Sequence, residues 1–184
     1  MVLTKIAIEE LNDKPSRLLG ESGDDVPFQL LSPIGEVILG NRPTFRWLPL
    51  KGASSYVVTV TDARLNEVAS SEHLTVPEWK ISRPLTPGVI YSWQVTALKD
   101  GQKITTPVLP APQARFKVLE LTRAEALRSA IRGNADSHLA LSVLYAQSGL
   151  LAEAEREMQS LVKANPGSRA LRKLLRSLQS LKNR

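Results

Sequence analysis

The last seventeen residues of the chain, 168–184, contain six basic side chains and no acidic one. If this segment is a helix, four of the cations project opposite a row of leucines. Such a face can bind an acidic protein surface, phosphates or anionic lipid head groups, or it can be the solvated side of a helix whose dipole favours cations near its C-terminus. No aromatic residue interleaves the cations, so base stacking has no platform, which disfavours nucleic acid relative to an acidic protein. The four candidate residues are Arg169, Arg172, Lys173 and Arg176.

Residues that could carry catalysis do not converge in the sequence. The chain has no cysteine and two histidines, His73 and His138, which lie far apart. A disulfide framework, a thiolate zinc site and a cysteine nucleophile are therefore excluded. Ser137 directly precedes His138, and neighbours at a helix start cannot point at one reacting atom, so Ser137 fits a helix cap instead. Glu153 and Glu157 share a helical face beside an arginine and fit a solvated surface. We predict no enzyme activity, no cofactor, no metal site and no small-molecule substrate.

Composition places the chain among folded, water-soluble proteins. It has 184 residues, 42% of them hydrophobic and 23% charged, and a formal charge of +6. No apolar run approaches the length of a membrane span, and Lys5 interrupts the first apolar stretch before a signal-peptide core could form. We expect a cytoplasmic location, with a periplasmic or membrane-associated one left open if the chain is part of a longer protein or complex.

The net positive charge of the chain comes from its last seventeen residues. Residues 1–167 contain 18 basic and 18 acidic residues, so the excess of six lies in residues 168–184. Residues 1–25 are acidic, with three basic and six acidic side chains. The charge therefore points to one helix rather than to a general polyanion binder, and to an acidic partner surface or the acidic arm as what meets that helix.

Aromatic residues and prolines divide the chain into two parts. Eight of nine aromatic residues lie between Phe28 and Phe116, and ten of twelve prolines lie between Pro27 and Pro112. Apolar residues alternate there with period two, as at Tyr91 and Trp93, and turn signals separate the runs. This pattern predicts seven strands in a β-sandwich. After residue 119 the composition changes to Ala, Leu, Arg and Glu, which favours helices.

The strand-rich segment, about residues 27–119, resembles fibronectin type III domains. Residues 85–95 carry the resemblance, because Leu85 and Tyr91 are placed as in the tyrosine corner of that family. The segment at Trp47 resembles the second strand of that family, and the segment at Tyr56 resembles the third. The resemblance implies an immunoglobulin-like sandwich and no particular ligand. Three prolines in residues 105–113 predict that the last strand is interrupted.

Residues 135–168 resemble one tetratricopeptide repeat, whose period is about 34 residues. The resemblance implies two packed helices with a concave face on the first, where arrays of this family bind peptides. Leu139, Val143 and Gln147 fall on that face. Either a preceding helix over residues 122–131 covers them, or a partner segment does. The matching positions are Leu141, Tyr145, Gly149, Ala154, Met158, Leu161 and Pro166.

Helices are predicted on both sides of this repeat. Thr122 and Glu125 form a capping box for the first, and Ser168 caps the last. A lone repeat cannot bury its apolar faces, so we expect these helices to cap it. The leucines of the last helix at 171, 174, 175, 178 and 181 form one apolar stripe.

The sequence therefore predicts an N-terminal arm at 1–26, a fibronectin type III-like sandwich at 27–119 and a tetratricopeptide-like helical domain at 120–184. Both resemblances imply a non-enzymatic interaction module, an accessory or scaffolding subunit of a larger complex. Its expected partners are other protein subunits with an acidic surface or an extended segment. Two alternatives stay open: a sensor that binds a small ligand or glycan through the sandwich, and a peripheral binder of anionic lipid or nucleic acid through the last helix.

Overall fold

The computed structural model describes residues 28–108 and 110–182, in which nine strands precede four helices. This confirms the predicted order of a β part followed by an α part. The strands are β1 (Leu30–Ser32), β2 (Glu36–Ile38), β3 (Thr44–Trp47), β4 (Ala53–Asp62), β5 (Glu67–Ser70), β6 (Glu78–Lys80), β7 (Ile90–Lys99), β8 (Gln102–Thr106) and β9 (Ala114–Val118). The helices are α1 (Leu121–Gly133), α2 (His138–Gln147), α3 (Leu151–Ala164) and α4 (Arg169–Lys182).

The strands form two sheets that share one core. The smaller sheet has the order β1-β3-β6, and the larger has the order β2-β9-β7-β4-β5, with β8 also paired to β7. Phe45 of β3 lies 5.0 Å from Trp93 of β7 and 5.7 Å from Phe116 of β9, measured between ring centroids. Alternate residues of β4 and β7 are buried in this core, because successive side chains of a strand point to opposite faces.

The chain crosses from the smaller sheet to the larger one between β1 and β2. β1 pairs antiparallel with β3, whereas β2 pairs parallel with β9. Two hydrogen bonds hold the crossing: Trp93 Nε1 donates to the carbonyl of Pro33 at 2.7 Å, and Gly35 N donates to the carbonyl of Arg115 at 2.7 Å. Gly35 has a φ of 62°, a conformation that glycine adopts without steric cost.

The predicted count of seven strands is wrong, because two of the expected strands are each divided into two. The first strand is divided between two sheets, and the last is divided into β8 and β9, which both pair with β7. β8 ends at Thr106 and β9 begins at Ala114, and the prolines at 107, 110 and 112 cannot donate ladder hydrogen bonds.

Two tyrosine hydroxyls tie strands to the loops that precede them. The Tyr91 hydroxyl accepts a hydrogen bond from Thr86 N at 2.9 Å and donates to Thr86 O at 3.3 Å, beside the buried Leu85. Tyr56 makes the same pair of bonds with Leu50, at 3.0 and 3.3 Å. In the first pair a tyrosine hydroxyl bonds the backbone a few residues upstream, which is the arrangement called a tyrosine corner.

The helices begin close to, but not always at, their predicted caps. α1 begins at Leu121 with Glu120 in the cap position and no side-chain cap, so the predicted capping box at Thr122 is wrong. Ser137 does cap α2, because its hydroxyl accepts from Ala140 N at 3.2 Å. Ser168 accepts from Leu171 N at 3.4 Å at the start of α4.

A second group of buried residues joins the helices to the sheets. Val37 of β2 packs with Leu119, with Ala124 and Leu127 of α1, and with Leu150 in the turn between α2 and α3. We call these five residues the junction cluster. Leu150 has no exposed surface and Val37 is 3% exposed, so the cluster is a true core rather than a surface contact. Because few residues connect β9 to α1, this contact fixes the helices against the larger sheet.

We predict that Gly149→Ala destabilises the protein by about 1–2 kcal/mol. Gly149 has a φ of 80°, and a methyl group there would lie 3.3 Å from Val37 Cγ2 in the junction cluster. Urea unfolding followed by circular dichroism measures the change. Gly133→Ala is the matched control, because no atom lies within 4 Å of the added methyl group; equal losses for both variants would contradict the prediction.

We also predict that Tyr91→Phe lowers the free energy of unfolding by about 1–2 kcal/mol, since Thr86 loses both hydrogen bonds to the hydroxyl. The same urea measurement applies. Tyr145→Phe serves as the control, because Tyr145 lies on α2 and is not part of the core that the two sheets share. A Tyr91→Phe protein as stable as the wild type would show that the corner does not stabilise the fold.

Candidate protein-interaction surfaces

The first candidate surface is the outer side of α2. Leu139, Val143 and Gln147 lie on this side at intervals of four residues, and we call them the α2 strip. Leu139 is 45% exposed and Val143 is 46% exposed, and Gln147 is exposed as well. The structure therefore brings all three predicted residues together on one accessible surface.

The opposite side of α2 is held firmly on α3. The buried Ser142 donates its hydroxyl hydrogen to the carbonyl of Ala154 at 3.0 Å, where Ala154 allows close approach of the two helices. At the start of α2, His138 Nδ1 lies 2.7 Å from a carboxylate oxygen of Glu157. These contacts orient the α2 strip by fixing the other face of the same helix.

α1 does not cover the α2 strip, which was one of the two alternatives for Leu139 and Val143. α1 buries Ala124 and Leu127 in the junction cluster, so its apolar side faces β2 rather than the outer side of α2. Leu121, at the start of α1, is itself 56% exposed. Leu139 and Val143 stay exposed for this reason.

The four predicted cations of α4 form the second candidate surface. Arg169, Arg172, Lys173 and Arg176 are all exposed, and we call them the basic face. Arg172 donates to the carbonyl of Pro166, which anchors this side chain at the start of the helix. Within the described ranges, none of the four forms an ion pair with a carboxylate. The basic face is thus available to an anion supplied from elsewhere.

Tyr145 links the α2–α3 pair to the junction cluster. Its ring packs against the cluster as a partly buried neighbour. Burial raises the pKa of Tyr145, and the negative charges of Glu157 and Glu153 raise it further. The phenol is therefore neutral at physiological pH and contributes as an apolar ring.

The residues weighed for catalysis have structural partners. The Ser137 hydroxyl caps α2, His138 contacts Glu157, and Glu153 lies 3.6 Å from Arg156. Among the described residues, no three or more His, Cys, Asp or Glu side chains are grouped so that they could hold a metal ion. No described helix combines the length and apolarity that crossing a bilayer requires.

Two leucines of α4 are more exposed than the sequence pattern predicts. The pattern places all five leucines in a single apolar stripe, yet Leu174 and Leu181 are 47% and 46% exposed. The sequence does contain a sign of this exposure. Leucines at 171, 174, 175, 178 and 181 occupy a wider part of the helix circumference than one neighbouring helix can bury.

Comparison with known proteins identifies no relative that assigns a function. Neither a protein-family model nor a curated protein matches the chain. Among solved structures, CopC from Methylosinus trichosporium OB3b is 13% identical, covers 51% of this chain and 95% of its own, and has a TM-score of 0.36. The solution structure of the fn3 domain of human collagen alpha-1(XX) chain is 22% identical, covers 54% of this chain and 93% of its own, and has a TM-score of 0.36. Likenesses of this strength carry no inference about function.

Proposed function

We propose that the two sheets form a fibronectin type III-like sandwich and that α2 and α3 form a tetratricopeptide-like hairpin. The shared core of the sheets and the Tyr91–Thr86 corner support the first assignment. The close packing of α2 on α3 at Ala154, which has no exposed surface, supports the second. Each assignment concerns the fold, and the function rests on the surfaces described above.

We further propose that the chain is a non-enzymatic interaction module, an accessory or scaffolding subunit that docks onto a larger protein complex. The observation that carries this proposal is the exposure of Leu139 and Val143 on a helix whose other face is fixed. Apolar side chains at this spacing form a strip against which a partner segment can pack. Because α2 is already fixed on α3, binding does not carry the entropy cost of ordering that helix.

The basic face indicates the charge of the partner. The exposed cations on α4 favour an acidic surface or an acidic extended segment, because opposite charges align the partner and disfavour basic competitors. Since these cations are exposed, their attraction is screened within about 8–10 Å at physiological salt. We therefore expect the α2 strip to contribute through burial of apolar surface and the basic face to contribute mainly to selectivity.

Affinity capture from an extract of the source cells tests this proposal. We expect the full-length wild-type chain to retain specific proteins at physiological salt, and a Leu139→Glu/Val143→Glu variant to retain at least about tenfold less of them, because two carboxylates now occupy the apolar strip. Quantitative mass spectrometry of the captured proteins is the measurement.

The control for this experiment is Leu121→Glu, which places a carboxylate at another exposed leucine outside the α2 strip. It should capture the same proteins as the wild type. The proposal fails if the chain elutes alone as a monomer at native abundance, or if the Leu139→Glu/Val143→Glu variant captures the same proteins in the same amounts.

A further inference from the structure

The packing of α4 on α3 leaves one edge of the α4 leucine stripe open. Leucines at 171, 174, 178 and 181 follow the alternating three-and-four spacing that is typical of a helix–helix seam. Leu171, Leu175 and Leu178 are half-buried, whereas Leu174 and Leu181 are nearly half exposed. We call Leu174 and Leu181 the leucine edge.

The leucine edge has the shape of a site for another helix. Ala170 and Ser177 each lie four residues before one of the two leucines, on the same side of α4. Their small side chains allow a neighbouring backbone to approach closely. Because Leu174 and Leu181 are seven residues apart, they span two helical turns, or about 10 Å, which a partner helix of three turns covers.

The charges beside the leucine edge select an acidic partner. Lys173 adjoins Leu174, and Arg169 and Arg176 extend the positive potential along α4. A second copy of the chain would bring two basic helices together, which like-charge repulsion disfavours. A bilayer surface is favoured by a broad apolar face with aromatic anchors, but α3 already covers the centre of the leucine stripe, and α4 has no aromatic residue.

We propose that the leucine edge binds an amphipathic helix of a partner protein whose apolar seam is flanked by Asp or Glu. This inference rests on the proposed role as an interaction module, but it concerns a different surface from the α2 strip. Capture from extract can therefore fail at the α2 strip while the leucine edge still binds its helix, and the reverse outcome is equally distinguishable.

The test is a titration of the ¹⁵N-labelled full chain with a three-heptad probe peptide that has Leu at the seam positions and Glu at the flanking positions. We expect chemical-shift changes centred on residues 170–181 and affinity at least about tenfold higher than for a matched peptide with Lys in place of Glu. Leu174→Ala/Leu181→Ala should weaken binding about tenfold, because the apolar contact is truncated at both turns.

Two matched substitutions separate the contributions. Lys173→Glu should weaken binding of the acidic peptide several-fold, whereas Arg128→Glu, an exposed cation on α1, should leave it unchanged. Leu121→Ala, an exposed leucine on α1, is the control for the leucine variant and should likewise bind as the wild type does.

Four outcomes would overturn the proposal. The first is equal binding of the acidic and basic peptides. The second is a dimer by analytical ultracentrifugation that Leu174→Ala/Leu181→Ala dissociates, which would make a second copy the occupant. The third is binding to phosphatidylserine vesicles that depends on the leucine edge while the peptide does not bind. The fourth is a large gain in peptide affinity in the full-length Glu9→Gln/Glu10→Gln/Asp13→Asn variant, which would make the acidic N-terminal segment of the chain the occupant.

Discussion

The crossing of residues 33–35 from one sheet to the other is the constraint on which the rest of the molecule depends. It is held by the indole of Trp93 and the amide of Gly35, both of which bind backbone carbonyls. A hydrogen bond to a buried carbonyl is costly to lose, because the oxygen would remain desolvated without a partner. The crossing places β2 beside β9, and in that position Val37 packs against the helices.

The junction cluster then determines which helical surfaces stay accessible. α1 uses its apolar side against Val37 and Leu119, so it cannot also cover Leu139 and Val143. α3 is packed between α2 and α4 and buries one side of each. The exposed apolar residues are therefore a consequence of how a small helical group is attached to a sheet. The apolar side of α1 packs in the junction cluster, and an amphipathic helix has only one such side. α1 therefore has no second apolar side with which to cover the α2 strip.

The local sequence pattern predicted many of the strands and helices. It could not predict which strands pair or where the helices dock, because those contacts join residues far apart in the sequence. Alternation at Tyr91 and Trp93 predicted a strand and its buried face, whereas the backbone partner of the Tyr91 hydroxyl, Thr86, emerged only from the structure. The same alternation cannot say which sheet a short strand joins, so the pairing of β2 with β9 was missed. Thr122 shows the limit for helix starts, because the contacts of Leu119 and Ala124 set the beginning of α1 more strongly than a favourable cap residue does. At the candidate site, periodicity placed Leu139, Val143 and Gln147 on one face, but their exposure depended on where α1 docks.

The free energy available from burying the exposed apolar residues limits how tightly a partner can bind. Leu139, Val143, Leu174 and Leu181 are each nearly half exposed, so covering one of them contributes about 1 kcal/mol. All four together contribute about 4 kcal/mol, which only reaches the lower end of the cost of bringing two proteins together. A partner that contacts a single strip would bind weakly, even with help from the basic face. Stable docking therefore requires a partner that spans several turns or both surfaces, and it requires that those surfaces be fixed in advance. The junction cluster meets the second requirement, because the free energy of holding the helices in place has already been supplied by folding.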